Sequence, residues 1–403
     1  MAEVIASVPV FRGRRLALAA AATALAGFIG LAVGLVVDPG RTWLSYLMAF
    51  WFAFTVAAGA LFLLMIGYAA NARWLSVVRR TTEAVTLPLP ALAVLFVPLL
   101  FGLAWLYPWH TPRAGIDPNE LAVYRHRAAF LNTPFFAIRG AVYFIVLVFA
   151  AWRLRRWSLV RERDPVAVDD PEAALGRERR FASGMLPPVA LAFTFANIDW
   201  LMSLQGLWYS SMYPVIAFGG AFLAANGAVT LLTERVWTHH TGAGAITRNH
   251  FHALGRMLFA FIVFWAYVAF FQVMLIRIAN KPEEIMFYVL RVHGAWRVFV
   301  WILIAGHFAF PFVLLMPKAI KFRPHAMGIA GGWLVLMHLV DVYWQVIPSH
   351  VQGTFVFHWL DLAALAAVLG TCVAVAAWRQ DGIGLIPRGD PFLPAGAAYR
   401  SPL

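Results

Sequence analysis

Two stretches near the C-terminus place a histidine three residues before an aspartate: His338 with Asp341, and His358 with Asp361. On a helix that spacing puts both side chains on one face, where a carboxylate can fix the tautomer of its neighbouring imidazole and raise its basicity. Such a pair either relays protons or simply fixes helix packing. Asp199, Arg139, Gln272, Gln345 and a lone His307 are further polar residues set in long apolar runs. Ionisable groups in hydrocarbon are costly, so they usually face a bundle interior, a partner or a water-filled path.

The elements that position these groups belong to a membrane. Of 403 residues, 62% are hydrophobic and 13% charged, whereas soluble domains run at roughly 45–50% and 25%. That leaves too little polar surface for a water-exposed globule. The formal charge of +13 fits basic loops on one side of a bilayer, with lipid as neighbour, and not a nucleic-acid partner. A single cysteine, Cys372, permits no internal disulfide and no cysteine-based metal or cluster site. Arg12, Arg14 and Arg15 before an Ala-rich stretch imitate a signal peptide, but the apolar run from Leu16 to Val37 is long enough to span and reads as a retained first helix.

A spanning helix needs about 20 mainly apolar residues. Such runs lie near 16–37, 44–68, 84–106, 135–152, 185–204, 213–233, 254–278, 296–316, 327–347 and 355–378. The expected fold is therefore an all-α integral membrane protein of about ten transmembrane helices in a single polytopic domain, residues 1–403. Pro187 and Pro188 fit the first turn of the fifth run. Of the 32 Lys and Arg, 22 fall on the loops of the N-terminal side and six on the opposite side, which places both termini in the cytoplasm. Trp43, Trp105, Tyr107, Trp109, Trp208 and Tyr209, near span ends, fit interfacial aromatic belts.

Given this orientation, Asp199, Gln272, His338, Asp341 and Gln345 sit in the outer halves of outward-running spans. Arg139, His358 and Asp361 join them from inward-running ones. Two His/Asp pairs at one depth, with Asp199 at the same level, point to a proton path or a quinol-level pocket. His307 lies mid-span, and Thr194, Asn197 and Asn226 extend a polar track inward. Haem ligation would need two histidines facing across helices, and His307 with His338 is the pair to consider.

Longer motifs carry a family resemblance. Phe195-Ala-Asn-Ile-Asp199-Trp200-Leu-Met-Ser203-Leu, followed by Trp208-Tyr209-Ser210, resembles the end of the fifth helix in the ActF-type membrane subunit of bacterial alternative complex III. Leu254-Gly255-Arg256, Phe264-Trp265-Ala266-Tyr267, Ala279-Asn280-Lys281-Pro282-Glu283-Glu284, His307-Phe308 with Pro311-Phe312, and Met337-His338-Leu-Val-Asp341-Val-Tyr343-Trp344 follow in the same order. The resemblance covers roughly residues 190 to 350. This family is similar to the NrfD-like, or polysulfide reductase, membrane subunits, whose second to ninth helices form two four-helix bundles with two peripheral helices outside them.

The resemblance implies a subunit of a respiratory quinol:cytochrome c, or quinol:acceptor, oxidoreductase in the bacterial inner membrane, carrying no redox centre of its own. Haem c and iron–sulfur clusters would belong to partners: a second NrfD-like subunit, an iron–sulfur protein and multihaem cytochrome c subunits. Quinol itself is a possible ligand, and a role in proton translocation is inferred for the type. The sequence departs from the family pattern at Gln205, Gly206 and Leu207, where an acid, proline and histidine are usual, at Ala253, and at Arg277 and Lys281. The alternatives are a secondary transporter, whose sites would lie near midplane on interrupted helices, and a purely structural anchor of a redox complex.

Overall fold

The structure is a computed structural model that describes residues 9–112, 116–163, 171–239, 245–280, 282–351, 353, 355 and 357–402. Lys281 and its basic or acidic neighbours in the gaps lie outside the described residues. Among the described residues, ten helical stretches are long and apolar enough to cross a membrane: Arg14–Val37, Pro39–Ala69, Leu75–Leu99, Thr133–Arg163, Gly176–Leu204, Tyr213–His239, Arg248–Ala279, Trp296–Leu315, Pro324–Ser349 and Trp359–Gln380. The chain is a multi-pass, all-α membrane protein. In lipid every backbone N–H and C=O needs an internal partner, which a helix supplies within one segment. Outward-facing side chains such as Val36, Phe101, Ile278, Ile329 and Trp378 stay exposed, as a lipid-facing surface requires.

The second span is the axis of the fold, buried along nearly its whole length. It packs with the third, fourth and fifth on one side, while the sixth to ninth spans form a second group in which the sixth packs on the seventh and ninth. The first and tenth spans pair with each other outside both groups. Small residues set the close approaches: a Cβ at Gly331 would lie 2.5 Å from the Gly227 carbonyl oxygen, so the sixth and ninth helices touch backbone to backbone. An aromatic cluster of Phe50, Phe54, Phe96, Phe144 and Trp200 fills the first group, with ring centroids 4.9 to 5.7 Å from Trp200.

Two helices start earlier than their hydropathy indicates, and both for the same reason. The third begins at Leu75 and buries Arg79, Arg80 and Glu83. Arg80 donates to Glu83 at 2.8 Å and also pairs with Glu162, while Arg79 pairs with Asp390. The fifth begins at Gly176, burying Glu178 against Arg161. Charges that read as solvated loops are mutually neutralised at the end of the bundle that carries the termini. Consequently Pro187 and Pro188 lie inside the fifth helix and not in its first turn.

The aromatic belt also needs correction. Trp105 and Tyr209 are exposed, but Trp43, Tyr107, Trp109 and Trp208 pack inward. The connections at the end opposite the termini fold back over the helices: the Tyr107 hydroxyl donates to the Trp200 carbonyl at 3.0 Å, and Trp208 stacks on Phe287 at 4.1 Å.

Candidate functional site

The polar residues of the membrane interior divide into three sites. In the first group of helices, Arg139 holds Asp199 in a two-pronged pair, Nε to Oδ2 at 2.7 Å and Nη2 to Oδ1 at 2.9 Å. Tyr143 donates a third bond to Asp199 at 2.7 Å, and the Arg139 guanidinium lies 3.9 Å from the centre of the Phe130 ring. Both oxygens of this carboxylate are engaged, by a fixed cation and a phenol. Arg139 and Asp199 are therefore brought together as expected in level, but they form a closed ion pair, separate from both His/Asp pairs.

The second site surrounds Asp361. Arg41 donates to its Oδ2 at 2.5 Å, Ser45 to Oδ1 at 2.6 Å and Tyr343 to Oδ2 at 3.0 Å. His358 is the residue before the first helical turn: its backbone N–H donates to Asp361 at 3.3 Å and its Nδ1 accepts the Leu360 N–H at 3.3 Å. This reciprocal arrangement is a helix cap. The expected pairing of the His358 ring with the Asp361 carboxylate is not made, because the carboxylate is taken by Arg41, a residue that reads in the sequence as an ordinary loop arginine.

The third site contains His338, Asp341 and His307, all buried. His338 Nε2 lies 2.9 Å from the Thr55 hydroxyl, and its Nδ1 has no hydrogen-bond partner. Here too the ring is not bonded to the aspartate three residues on. Instead both face Gly220 of the sixth span. The position a Gly220 side chain would take is 3.0 Å from His338 Nδ1 and 3.6 Å from Asp341 Oδ2. Beside Asp341 lie the Gln345 amide and the Trp265 indole, and Tyr213 donates to Gln345 at 3.0 Å.

His307 sits against Trp265, ring centres 4.1 Å apart, with both ring nitrogens lacking a hydrogen-bond partner. Its helix is widened there into a π turn, Leu303–Ala309, in which the Phe310 N–H reaches back to Ala305. The cause lies four residues on. Pro311 offers no N–H to the His307 carbonyl and its ring would clash with it, so the helix takes one wider turn. Widened turns of this kind recur at functional positions.

Asp341 and Gln345 form the polar wall of a cavity of about 600 Å³ between the sixth, seventh, eighth and ninth spans. Trp265, Phe270, Tyr288 and Trp344 line the rest. Its roof is the helix Pro282–Val292, pinned by Arg291, which donates to the carbonyls of Trp344 and Gln345 and to Ser349. These carbonyls are left over at the end of the ninth helix, where a cation is favoured. Burial lowers the Arg291 guanidinium to about 10, which leaves it charged at neutral pH. Gln272 is buried in the seventh span but does not line the cavity.

The inward track is interrupted. Asn226 donates to the Leu254 carbonyl at 3.3 Å, the Asn197 carboxamide has no partner, and no hydrogen bond links the two. Thr55, Arg41 and Gly220 complete the sites and carry no sequence signal as polar or small residues of a site; Trp265 stands in the Phe264-Trp265-Ala266-Tyr267 motif without its role being legible there, and Pro311 does carry a signal, since a proline four residues after a mid-span histidine distorts the helix at that histidine. Among the described residues no group of three or more His, Cys, Asp or Glu side chains is placed to hold a metal ion. No protein-family model matches the sequence, and a search of the curated proteins returned no match.

Proposed function

We propose that this chain is a membrane subunit of a respiratory quinol-oxidising complex, and that the cavity beside Asp341 admits the quinol ring. The structural observation that supports the reading is a buried carboxyl on the wall of an apolar, aromatic-lined cavity whose volume lies within the roughly 300–1,000 Å³ of small-molecule sites. On oxidation both quinol O–H bonds break. Asp341 takes one of the protons, and His338, whose partnerless Nδ1 faces the same Gly220 position, is a further acceptor beside it. The two electrons would pass to an iron–sulfur or haem centre held by a partner subunit, and the second proton would be released to water on the side of the membrane where the roof helix lies. The motif order across residues 190 to 350 supports the same assignment to an ActF-type, NrfD-like subunit of the bacterial inner membrane with both termini cytoplasmic. Partners on this reading are the second NrfD-like subunit, the iron–sulfur protein and the multihaem cytochrome.

Asp341→Asn tests the proposal, since it keeps size and hydrogen bonding and removes the titratable proton. Positioned proton transfer typically contributes about 10²–10⁴-fold to rate. The expected result is quinol:acceptor turnover lowered by at least about tenfold per assembled complex in reconstituted vesicles, with haem content unchanged. Full turnover and full proton release in that variant would rule the proposal out.

A further inference from the structure

A second cavity, of about 420 Å³, lies at the other end of the molecule, between the first, second, third, sixth, ninth and tenth spans. Its body is apolar, with Phe52, Val56, Val335 and Leu369 among its walls and the buried Cys372 at its side. Its rim is exposed on the flank of the bundle at Leu232, 40%, and Val373, 43%, so it opens sideways to the surrounding hydrocarbon. Its end nearest the termini is polar and basic: Arg80, Arg235, His239 and Gln380.

The hydrogen-bond state of these residues gives the cavity a sign. Arg80 and Gln380 are 1% and 4% exposed, yet Arg80 Nε and Gln380 Nε2 have no partner. Both orphaned atoms are donors, and a buried donor without an acceptor is destabilising. Gln380 Oε1 is occupied by Arg155 at 2.9 Å, and the other Arg80 nitrogens by Glu83 and Glu162. Among the residues that line the cavity the unpaired buried atoms are donors, while unpaired acceptors at this end, such as Glu83 Oε1, lie outside its lining. Arg235, 65% exposed along its side chain, has only a loose contact with Glu234 at 3.7 Å, which leaves its charge available at the mouth. An apolar slot open to lipid, ending in unpaired donors and a cation, matches one ligand: acyl chain below, phosphate above. Basic pockets between helices at a membrane surface recognise anionic headgroups in this way.

We infer that this cavity is a binding site for one acidic phospholipid, its acyl chain between the second, ninth and tenth spans and its phosphate received at the mouth by Arg235, with Arg80 and Gln380 in the wall beneath it. The inference does not rest on the quinol reading, because Arg80, Arg235 and Gln380 do not line the Asp341 cavity, although Phe52 of the acyl wall packs on the His338 ring, centres 5.8 Å apart. The assignment also accounts for Cys372, which sits along the acyl slot as an apolar wall residue and needs no redox role there.

The test uses the chain with whatever partners it is extracted with, in mild detergent, by native mass spectrometry after stepwise delipidation. Phosphatidylglycerol added back is expected to bind more tightly than phosphatidylcholine by about fivefold for each basic side chain engaged. Arg235→Gln is expected to remove about that factor for phosphatidylglycerol and leave phosphatidylcholine unchanged. Ala376→Phe, which fills the slot, is expected to abolish binding of both lipids; if it does not yield assembled protein, Val373→Phe on the rim replaces it. Inorganic phosphate alone is expected not to compete at lipid-equivalent concentrations. Equal affinity for the two lipids, full competition by phosphate, or lipid binding undiminished in the filled variant would each overturn the assignment.

Discussion

His338 and Asp341 lie well inside the ninth helix, whereas His358 and Asp361 lie at the start of the tenth. The two pairs share residue types and spacing, and in neither does the imidazole bond the carboxylate. At the start of a helix the backbone N–H groups are unsatisfied, and His358 and Asp361 are recruited to cap them. Arg41 then fixes the remaining charge of Asp361. Inside the helix no backbone donor is free, so His338 and Asp341 turn outward to a neighbour, and that neighbour is a glycine. One pair is consumed by structure. The other keeps an open nitrogen and a carboxyl beside a cavity.

The comparison can be broken most directly through stability. Removing one partner of a buried ion pair typically costs about 3–5 kcal/mol, because a buried charge is left uncompensated. Asp361→Leu should therefore lower the unfolding midpoint sharply, as should Asp199→Leu through Arg139, when followed by tryptophan fluorescence in detergent. The double variant Arg41→Met/Asp361→Leu should recover most of the loss. Asp341→Asn, by contrast, should shift stability by less than about 1 kcal/mol. A loss at Asp341 equal to that at Asp361 would show that both carboxyls are structural.

Gly220→Ala probes the open pair with an intermediate effect. A methyl group would press on the His338 ring and fill the gap it shares with Asp341, costing roughly 1–3 kcal/mol as overpacking does. On the proposed reading it also lowers turnover of complex that remains assembled. Unchanged turnover per complex would separate the gap from the chemistry.

The smallest effect is expected at the capped pair. His358→Ala should cost about 1 kcal/mol, the usual worth of a helix cap, and His358→Asn should restore it, since Asn caps well. Thermal midpoints of the two variants decide this. Failure of Asn to rescue would mean that the His358 ring has a role beyond the cap.

The ten spans were legible because lipid forces about 20 apolar residues per crossing, and a run such as Leu16 to Val37 has few other readings. The polar sites were legible only as far as residue type and depth. Asp361 announces itself in an apolar run, but its partner Arg41 lies 320 residues away beside a turn, where arginine is unremarkable. Glu83 and Glu178 read as loop charges for the same reason: their neutralising arginines come from other helices. The His/Asp spacing correctly placed each pair on one face, yet the face opposite decides what the pair does, and Gly220 gives no polar signal. The π turn at His307 was encoded locally by Pro311 and required no tertiary knowledge.

The pairing of the first and tenth spans has a consequence for how the protein is made. Gly27 packs against Ala367, some 340 residues later in the chain, and at a synthesis rate of roughly 5–20 residues per second that is a delay of roughly 20 to 70 seconds. Throughout that interval the small-residue stripe of the first helix, Ala20, Ala24, Gly27 and Gly34, is presented to lipid or to a membrane chaperone. The first of these ten spans is thus completed by the tenth, and a ribosome that stops short of the tenth releases a product with an open seam, a mark for membrane quality-control proteases.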